Sequence, residues 1–242
     1  MAVNVKSDAL YALLRSRILN GDLLPGQSLR LRTLAQELGG SPTPMREALS
    51  RLHAENFVTA EANKGFRVVP TTLEELEDLE GARAVIETHL LTASIEQGDR
   101  NWEAGLVSAH YRLSKCVVPT SFSELDTIDV WDAAHGEFHQ ALIAGTSSRW
   151  LMNFAQQTHL QLQRYRRYII MRIDHVSRHE GSGSGIEVLS REALGIDAHA
   201  ALLQAALDRD KHAAETLMLE HIRLAKDSFL KLARASGIDA AA

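Results

Sequence analysis

Cysteine is almost absent from this chain of 242 residues. Cys116 stands alone, so no disulfide can close within the chain and nothing points to an oxidising compartment. Two further features are missing: the basic-then-apolar leader of a secretory signal, and any apolar run of the roughly 18 to 20 residues needed to span a bilayer. Together these absences lead us to expect a soluble, cytoplasmic protein with no membrane partner. No internal repeat is present, and the His-Glu-x-x-His pattern of many zinc hydrolases does not occur. Excess positive charge is lacking too: the formal net charge is -5, which over the whole chain argues against binding to a polyanion.

The distribution of that charge reverses the argument. Residues 1–70 hold nine Lys/Arg against six Asp/Glu, leaving 17 against 25 for residues 71–242. A mildly basic head on an acidic body can contact phosphates from one end without collapsing wholesale onto nucleic acid. The length exceeds the usual single-domain size, and a hydrophobic content of 45% is enough for real cores, so two domains are expected.

In the head, Leu10, Leu13, Leu14 and Ile18 keep helical spacing until Gly21, Asp22, Pro25 and Gly26 break it. Leu31, Leu34, Ala35 and Leu38 predict a second, short helix that stops at Gly39-Gly40. A third opens with Ser41, Pro42, Thr43 and Pro44, where Ser or Thr can cap free N–H groups and Pro fits the first turn. Two helices joined by a glycine turn form a helix-turn-helix. Met45, Ala48, Leu49 and Leu52 make the third helix's buried stripe, which turns Thr43, Arg46, Glu47 and Ser50 outward. Such a helix can enter the major groove, where an arginine donates two hydrogen bonds to guanine. Phe57 to Ala60 and Phe66 to Val69 read as two short strands of a wing with Lys64 and Gly65 at its tip, within reach of a neighbouring groove or backbone. Taken singly, each of these residues could be an ordinary solvated side chain; their order carries the reading.

Thr71, Thr72, Glu74 and Glu75 announce a new helix, so the boundary is placed near Pro70, giving a winged domain over 1–70 and an all-helical domain over 71–242. Helices are predicted over 72–97, 102–116, 123–144, 148–173, 190–207 and 210–235. The Gly/Ser stretch 181–185, within the predicted loop from Arg178, is read as a linker. Ile128, Trp131, His135, Phe138, His139 and Leu142 follow one stripe, so His135 and His139 project side by side at ligand spacing. His221 lies on a stripe with Ala214, Leu217, Leu224 and Ser228, and His199 shares a face with Leu203 and Ala206. A histidine on an apolar stripe is usually a satisfied core residue; four directed at one core point to a metal, for which imidazole suits zinc, nickel, copper or iron. His110 is the best decoy. Arg83 falls within the stripe Leu76, Leu79, Ile86, Leu90 and requires an anion, either Glu87 four residues on or a bound carboxylate. From the cluster Arg164 to Arg167, Arg166 is the choice for the cavity.

Several segments in this order carry a resemblance: Gly21-Asp22-Leu23-Leu24-Pro25-Gly26, Leu34-Ala35-Gln36-Glu37-Leu38-Gly39, Thr43-Pro44-Met45-Arg46-Glu47-Ala48-Leu49, and Lys64-Gly65-Phe66-Arg67-Val68. They resemble the DNA-binding domain of the GntR superfamily. Phe138-His139, His199 and His221 are similar to the FCD ligand-binding domain of its FadR branch. The resemblance implies that Arg32, Ser41, Thr43 and Arg46 lie at operator DNA and Gly65 at the wing tip. Pro42 stands where many members carry Arg. It also implies a homodimer and a repressor or activator answering to a small organic acid, held by metal and arginine. Where metal-binding members offer Asp, this chain has His135, which favours zinc or nickel over harder ions; Asp132 is a further candidate ligand. The Trp131, His135, Phe138, His139 arrangement resembles regulators of glutarate-like acids, a dicarboxylate. Two alternatives stand beside this reading: the metal itself as signal, and a four-His metalloenzyme, which would leave the winged head unexplained.

Overall fold

The computed structural model describes residues 2–38, 41–61, 65–118, 125–180 and 196–235. They fall into two compact units, one formed by Met1–Thr72 with Gln163–Tyr168 and the other by Leu73–Leu162 with Ile169–Ala242.

The first unit is a winged helix-turn-helix built from α1 (Ala2–Leu19), α2 (Leu31–Glu37), α3 (Pro42–Ala54) and the strands β1 (Ser28–Leu29), β2 (Val58–Glu61) and β3 (Gly65–Val68). Ser41 occupies the N-cap of α3 in extended backbone, but its hydroxyl accepts no bond from the helix. Proline, with its φ set in advance and no N–H to satisfy, starts the helix instead. Met45, Ala48, Leu49 and Leu52 are wholly buried, so truncating Leu49 to Ala would cost about 2–5 kcal/mol. Packing of α3 on α1 is pinned at the edge by Tyr11, whose hydroxyl donates to both Glu55 carboxylate oxygens at 2.9 and 2.7 Å.

The wing has a third strand that periodicity did not indicate. β1 is only two residues long, and its pairing with β3 is antiparallel, Ser28 opposite Arg67 and Leu29 opposite Phe66. The sheet order is β1-β3-β2. Gly65 opens β3 at φ +105°, and a Cβ there would lie 2.7 Å from the Leu29 carbonyl oxygen. Only glycine combines that backbone with so close an approach. Lys64 lies outside the described residues. Three arginine and tyrosine side chains from 163–168 complete this unit: Arg164 donates to the Val69 carbonyl at 2.9 Å, Tyr165 accepts from the Thr72 N–H at 3.1 Å, and Arg167 donates to Asn20 at 2.8 Å.

All regular secondary structure among the second unit's described residues is helical: α4 (Leu73–Gln97), α5 (Arg100–Ser114), α6 (Leu125–Ile143), most of α7 (Arg149–Glu180), α8 (Ile196–Leu207) and α9 (Lys211–Ala235). α7 runs to Glu180, so Arg178 to Glu180, expected in a loop, continue the helix; the Gly/Ser stretch 181–185 and residues 190–195 lie outside the described residues. α5 begins at Arg100 rather than 102 because Asp99 caps it, accepting from the Trp102 N–H at 2.9 Å. α4 packs on α6 and α9, and α8 on α5 and α9. The core between them contains Leu90, Leu106, Phe138, Leu142, Leu202 and Met218, all fully buried. On α9 the buried stripe is Ala214, Met218, His221, Ile222 and Ala225, whereas Leu224 is 41% exposed. The expected stripe through Leu217 and Leu224 was rotated by about one residue, too little to move His221 out of the core. No described helix is long and apolar enough to cross a membrane.

Candidate metal centre and DNA-reading surface

Four buried imidazoles converge inside the second unit. His135 and His139 come from successive turns of α6, His199 from the first turn of α8 and His221 from the middle of α9. One ring nitrogen from each lies within 4.8 Å of the corresponding atoms of the other three. The tightest approach is between His139 Nε2 and His221 Nε2, 3.2 Å. A tetrahedral shell with Zn–N bonds of about 2.0–2.1 Å has edges of about 3.3 Å, so this pair already stands at ligand spacing, and modest contraction brings the others in. Trp131 stacks on the His135 ring, centroids 4.4 Å apart and planes 19° apart, which fixes the imidazole's plane.

Electrostatics prepares His221 to donate a lone pair. Burial, followed by the nearby His139, His199 and Arg83, holds His221 well below the ordinary histidine value, with Glu87 opposing. Its imidazole is therefore neutral, the form that binds a metal. The donor set and its spacing fit a borderline-soft divalent cation. Asp132 is buried on the same helix but is not one of the four clustered residues. His110 also stays apart, its ring edge-on to Phe138 with centroids at 5.6 Å, and burial lowers its pKa.

Beside the cluster runs a buried ion network from α4. Arg83 is 4% exposed; its Nε donates to Glu87 at 3.0 Å and its Nη1 reaches Glu80 at 3.5 Å. Glu87, the internal alternative to a bound carboxylate, is thus the partner this structure gives Arg83. Nη2 of Arg83 lies 3.3 Å from His139 Nδ1 and 3.5 Å from His139 Nε2. Burial alone would raise the Glu87 pKa, but the Arg83 charge and the His139 hydrogen bond outweigh it and hold the carboxyl well below the usual range. Two carboxylates thus face one guanidinium beside the imidazoles, and their charge favours a cation there.

Sequence periodicity placed Arg83 inside but missed Glu80. The row Leu76, Glu80, Arg83, Glu87, Leu90 holds the signal, since Glu80 falls on the same face. Also missed was a cavity of about 150 Å³ lined by Glu87, His139, Gln140, Ile143, Met152, Asn153, Ala155, Gln156 and His159. An apolar void of about that volume accommodates a six-carbon ring, so a short organic acid fits. Arg166 is buried, but its segment clusters with the first unit, and it is absent from this cavity lining.

In the first unit, Arg32, Ser41, Thr43, Arg46 and Ser50 are all exposed. On α3 the exposed set opposes the buried stripe, leaving an uncommitted polar face. Gly65 is half-buried against β1.

Comparison with known proteins agrees with both halves. Residues 6–68 match the family described as bacterial regulatory proteins, gntR family, and residues 78–224 match the FCD domain. The chain is 34% identical over 222 residues to the HTH-type transcriptional regulator BphR of Paraburkholderia xenovorans (strain LB400), covering 90% of this chain and 84% of that protein. It is 32% identical to the HTH-type transcriptional repressor GlaR of Escherichia coli (strain K12), covering 88% and 90% respectively. Among solved structures, E. coli McbR/YncC superposes with a TM-score of 0.65 at 19% identity, over 95% of this chain and 98% of that one, a likeness of fold. The chain belongs to the GntR family of regulators and carries an FCD domain at its C-terminal side. It is a DNA-binding transcription regulator with a ligand-binding helical domain.

Proposed function

We propose that this regulator is a cytoplasmic homodimeric repressor that senses a small organic acid, a dicarboxylate among the candidates, through a metal held by His135, His139, His199 and His221. In this reading residues 1–70 bind operator DNA and residues 71–242 sense and dimerise. The observation that carries it is the four-histidine cluster adjoining a cavity of about 150 Å³, with His139 and Glu87 common to the cavity wall and the charged network. Repression is suggested by the similarity to a repressor of E. coli.

The cavity's own wall explains why a metal would be needed. Glu87 repels an entering carboxylate, and Arg83 is already neutralised by Glu87 and Glu80. A divalent ion held by the four histidines would supply positive charge and, if its shell expands to a fifth position, a Lewis-acidic site for a carboxylate oxygen. Gln140, Asn153, Gln156 and His159 then offer hydrogen-bond donors to the rest of the acid. Zinc or nickel suits an all-imidazole set.

DNA recognition is assigned to Arg32, Ser41, Thr43, Arg46 and Ser50, with Lys64 and Gly65 at the wing. Repression is relieved if the acid-bound state has lower operator affinity. The test is a DNA-binding titration on the chain's upstream intergenic region, with metal content measured on the same sample and small carboxylates, glutarate included, added afterward. Release by one acid only in metal-loaded protein supports the reading. Operator binding that ignores every acid but follows reversible metal loading supports the ion as signal, a reading favoured by the fact that four imidazoles can close a tetrahedral shell. A double variant, His139→Ala with His221→Ala, is expected to lose the metal; full retention would place the metal elsewhere.

A further inference from the structure

We infer that Glu87 is a positioning residue for the metal centre: its carboxylate fixes the proton of His139 on Nδ1, so that Nε2 is the atom presented to the metal. This rests on the metal reading above and adds to it the choice of ligand atom and the residue that makes it.

A neutral imidazole carries one N–H and one lone pair, and whichever nitrogen holds the proton cannot bind a metal. Glu87 Oε2 lies 3.3 Å from His139 Nδ1, and no hydrogen bond links it to Nε2. An ionised carboxylate is acceptor-only, so this contact is favourable only when Nδ1 carries the proton. Arg83, a donor only, favours a lone pair on either nitrogen almost equally, so the choice between them falls to Glu87. Its Nη2 is 3.3 Å from Nδ1 and 3.5 Å from Nε2, nearly equal distances that select neither lone pair.

Nε2 of His139 faces the cluster, 3.2 Å from His221 Nε2. Two neutral nitrogens that close either share one proton or share a cation. If His139 holds its proton on Nδ1, both of its nitrogens are satisfied once a metal sits beyond Nε2. Arg83 has a distinct part: its Nε, 3.0 Å from Glu87 Oε1, anchors the other carboxylate oxygen and leaves Oε2 for the histidine. A carboxylate behind a ligating histidine raises the ligand's basicity, and its loss typically lowers metal affinity about 10–100-fold.

The test compares zinc binding and histidine protonation in the full-length protein. Zinc affinity is measured by chelator competition for wild type, Glu87→Gln and Glu87→Leu; folding is checked by circular dichroism. The Nδ1 and Nε2 shifts of His139 are read from a long-range ¹H–¹⁵N spectrum of the zinc-loaded protein, assigned by their loss in His139→Asn. The expected result is zinc on Nε2 with the proton on Nδ1. Glu87→Leu should bind zinc about 10–100-fold more weakly. Glu87→Gln, which keeps an oxygen acceptor, should recover part of that loss and retain the same protonation. Zinc on Nδ1 of His139, or wild-type affinity in folded Glu87→Leu, would overturn the role of Glu87 alone. Absence of zinc binding by wild type would overturn it together with a zinc site in this cluster.

Discussion

Arg83→Met isolates the energetic weight of the buried network. Methionine retains much of the side-chain bulk and removes the charge, so the change is chiefly electrostatic. Arg83 is 4% exposed and its partners Glu80 and Glu87 are 2% and 3% exposed, so water is poorly placed to replace the lost donors. Removing one partner of a buried ion pair costs about 3–5 kcal/mol, because the charge left behind is uncompensated. Here two carboxylates lose the guanidinium they share, which places the expectation in the upper part of that range. At about 2–4 °C per kcal/mol for a domain of roughly 150–250 residues, the melting temperature should fall by about 8–20 °C. The assay is thermal unfolding of metal-free protein, followed by helical circular dichroism. A triple variant, with Glu80→Met and Glu87→Met added, should recover much of the loss, since an apolar replacement of a whole buried ion group is often neutral. A drop below about 2 °C in Arg83→Met would refute the claim that the two glutamates depend on this guanidinium.

Arg46→Ala should leave stability within about 0.5 kcal/mol, as for other exposed substitutions, yet weaken specific operator binding by about 1–3 kcal/mol in a gel-shift titration; unchanged affinity would remove Arg46 from the recognition surface. Gly136→Ala places a Cβ 2.9 Å from His159 Nε2, so the imidazole must swing aside. Because alanine improves a helix interior by about 1 kcal/mol, stability should hold or rise while the acid dependence of DNA release weakens. A wild-type acid response, with His159 seen displaced in a crystal structure, would exclude that side chain from effector recognition.

Legibility in the sequence followed the strength of the local pattern. On α6 every third or fourth residue from Ile128 to Leu142 is apolar or His, and all six expected positions are buried; a helix-period pattern of that length has one solution. On α9 apolar residues occupy two adjoining stripes, so the pattern alone allowed Leu224 inward, and packing against α4 and α8 chose Met218 and Ile222 instead. β1 had no local signature, because two residues become a strand only by pairing with β3, nearly forty positions away. The network was half visible: an arginine among leucines stands out, whereas Glu80 on the same row reads as a solvated acid until its partner is seen. His159 was invisible for a related reason. Its neighbours on α7 are mixed, and its place in the cavity is set by the absent side chain of Gly136 on another helix.

Charge bookkeeping at the centre implies an order of binding within the proposed mechanism. Taken by themselves beside neutral histidines, Glu80, Glu87 and Arg83 sum to one negative charge, and an organic acid entering beside Glu87 would add more. A divalent ion reverses the sign to one positive charge, and a carboxylate arriving next restores neutrality. In a buried site this reversal matters more than at a surface, because neighbouring charges are weakly screened. Acid affinity should therefore depend on metal loading, and by linkage the acid should tighten the metal by the same factor. Regulatory couplings of about 1–3 kcal/mol are typical. Equal metal affinity with and without a saturating effector acid would mean that the two ligands do not share this charge, and the acid would then belong to another part of the helical domain.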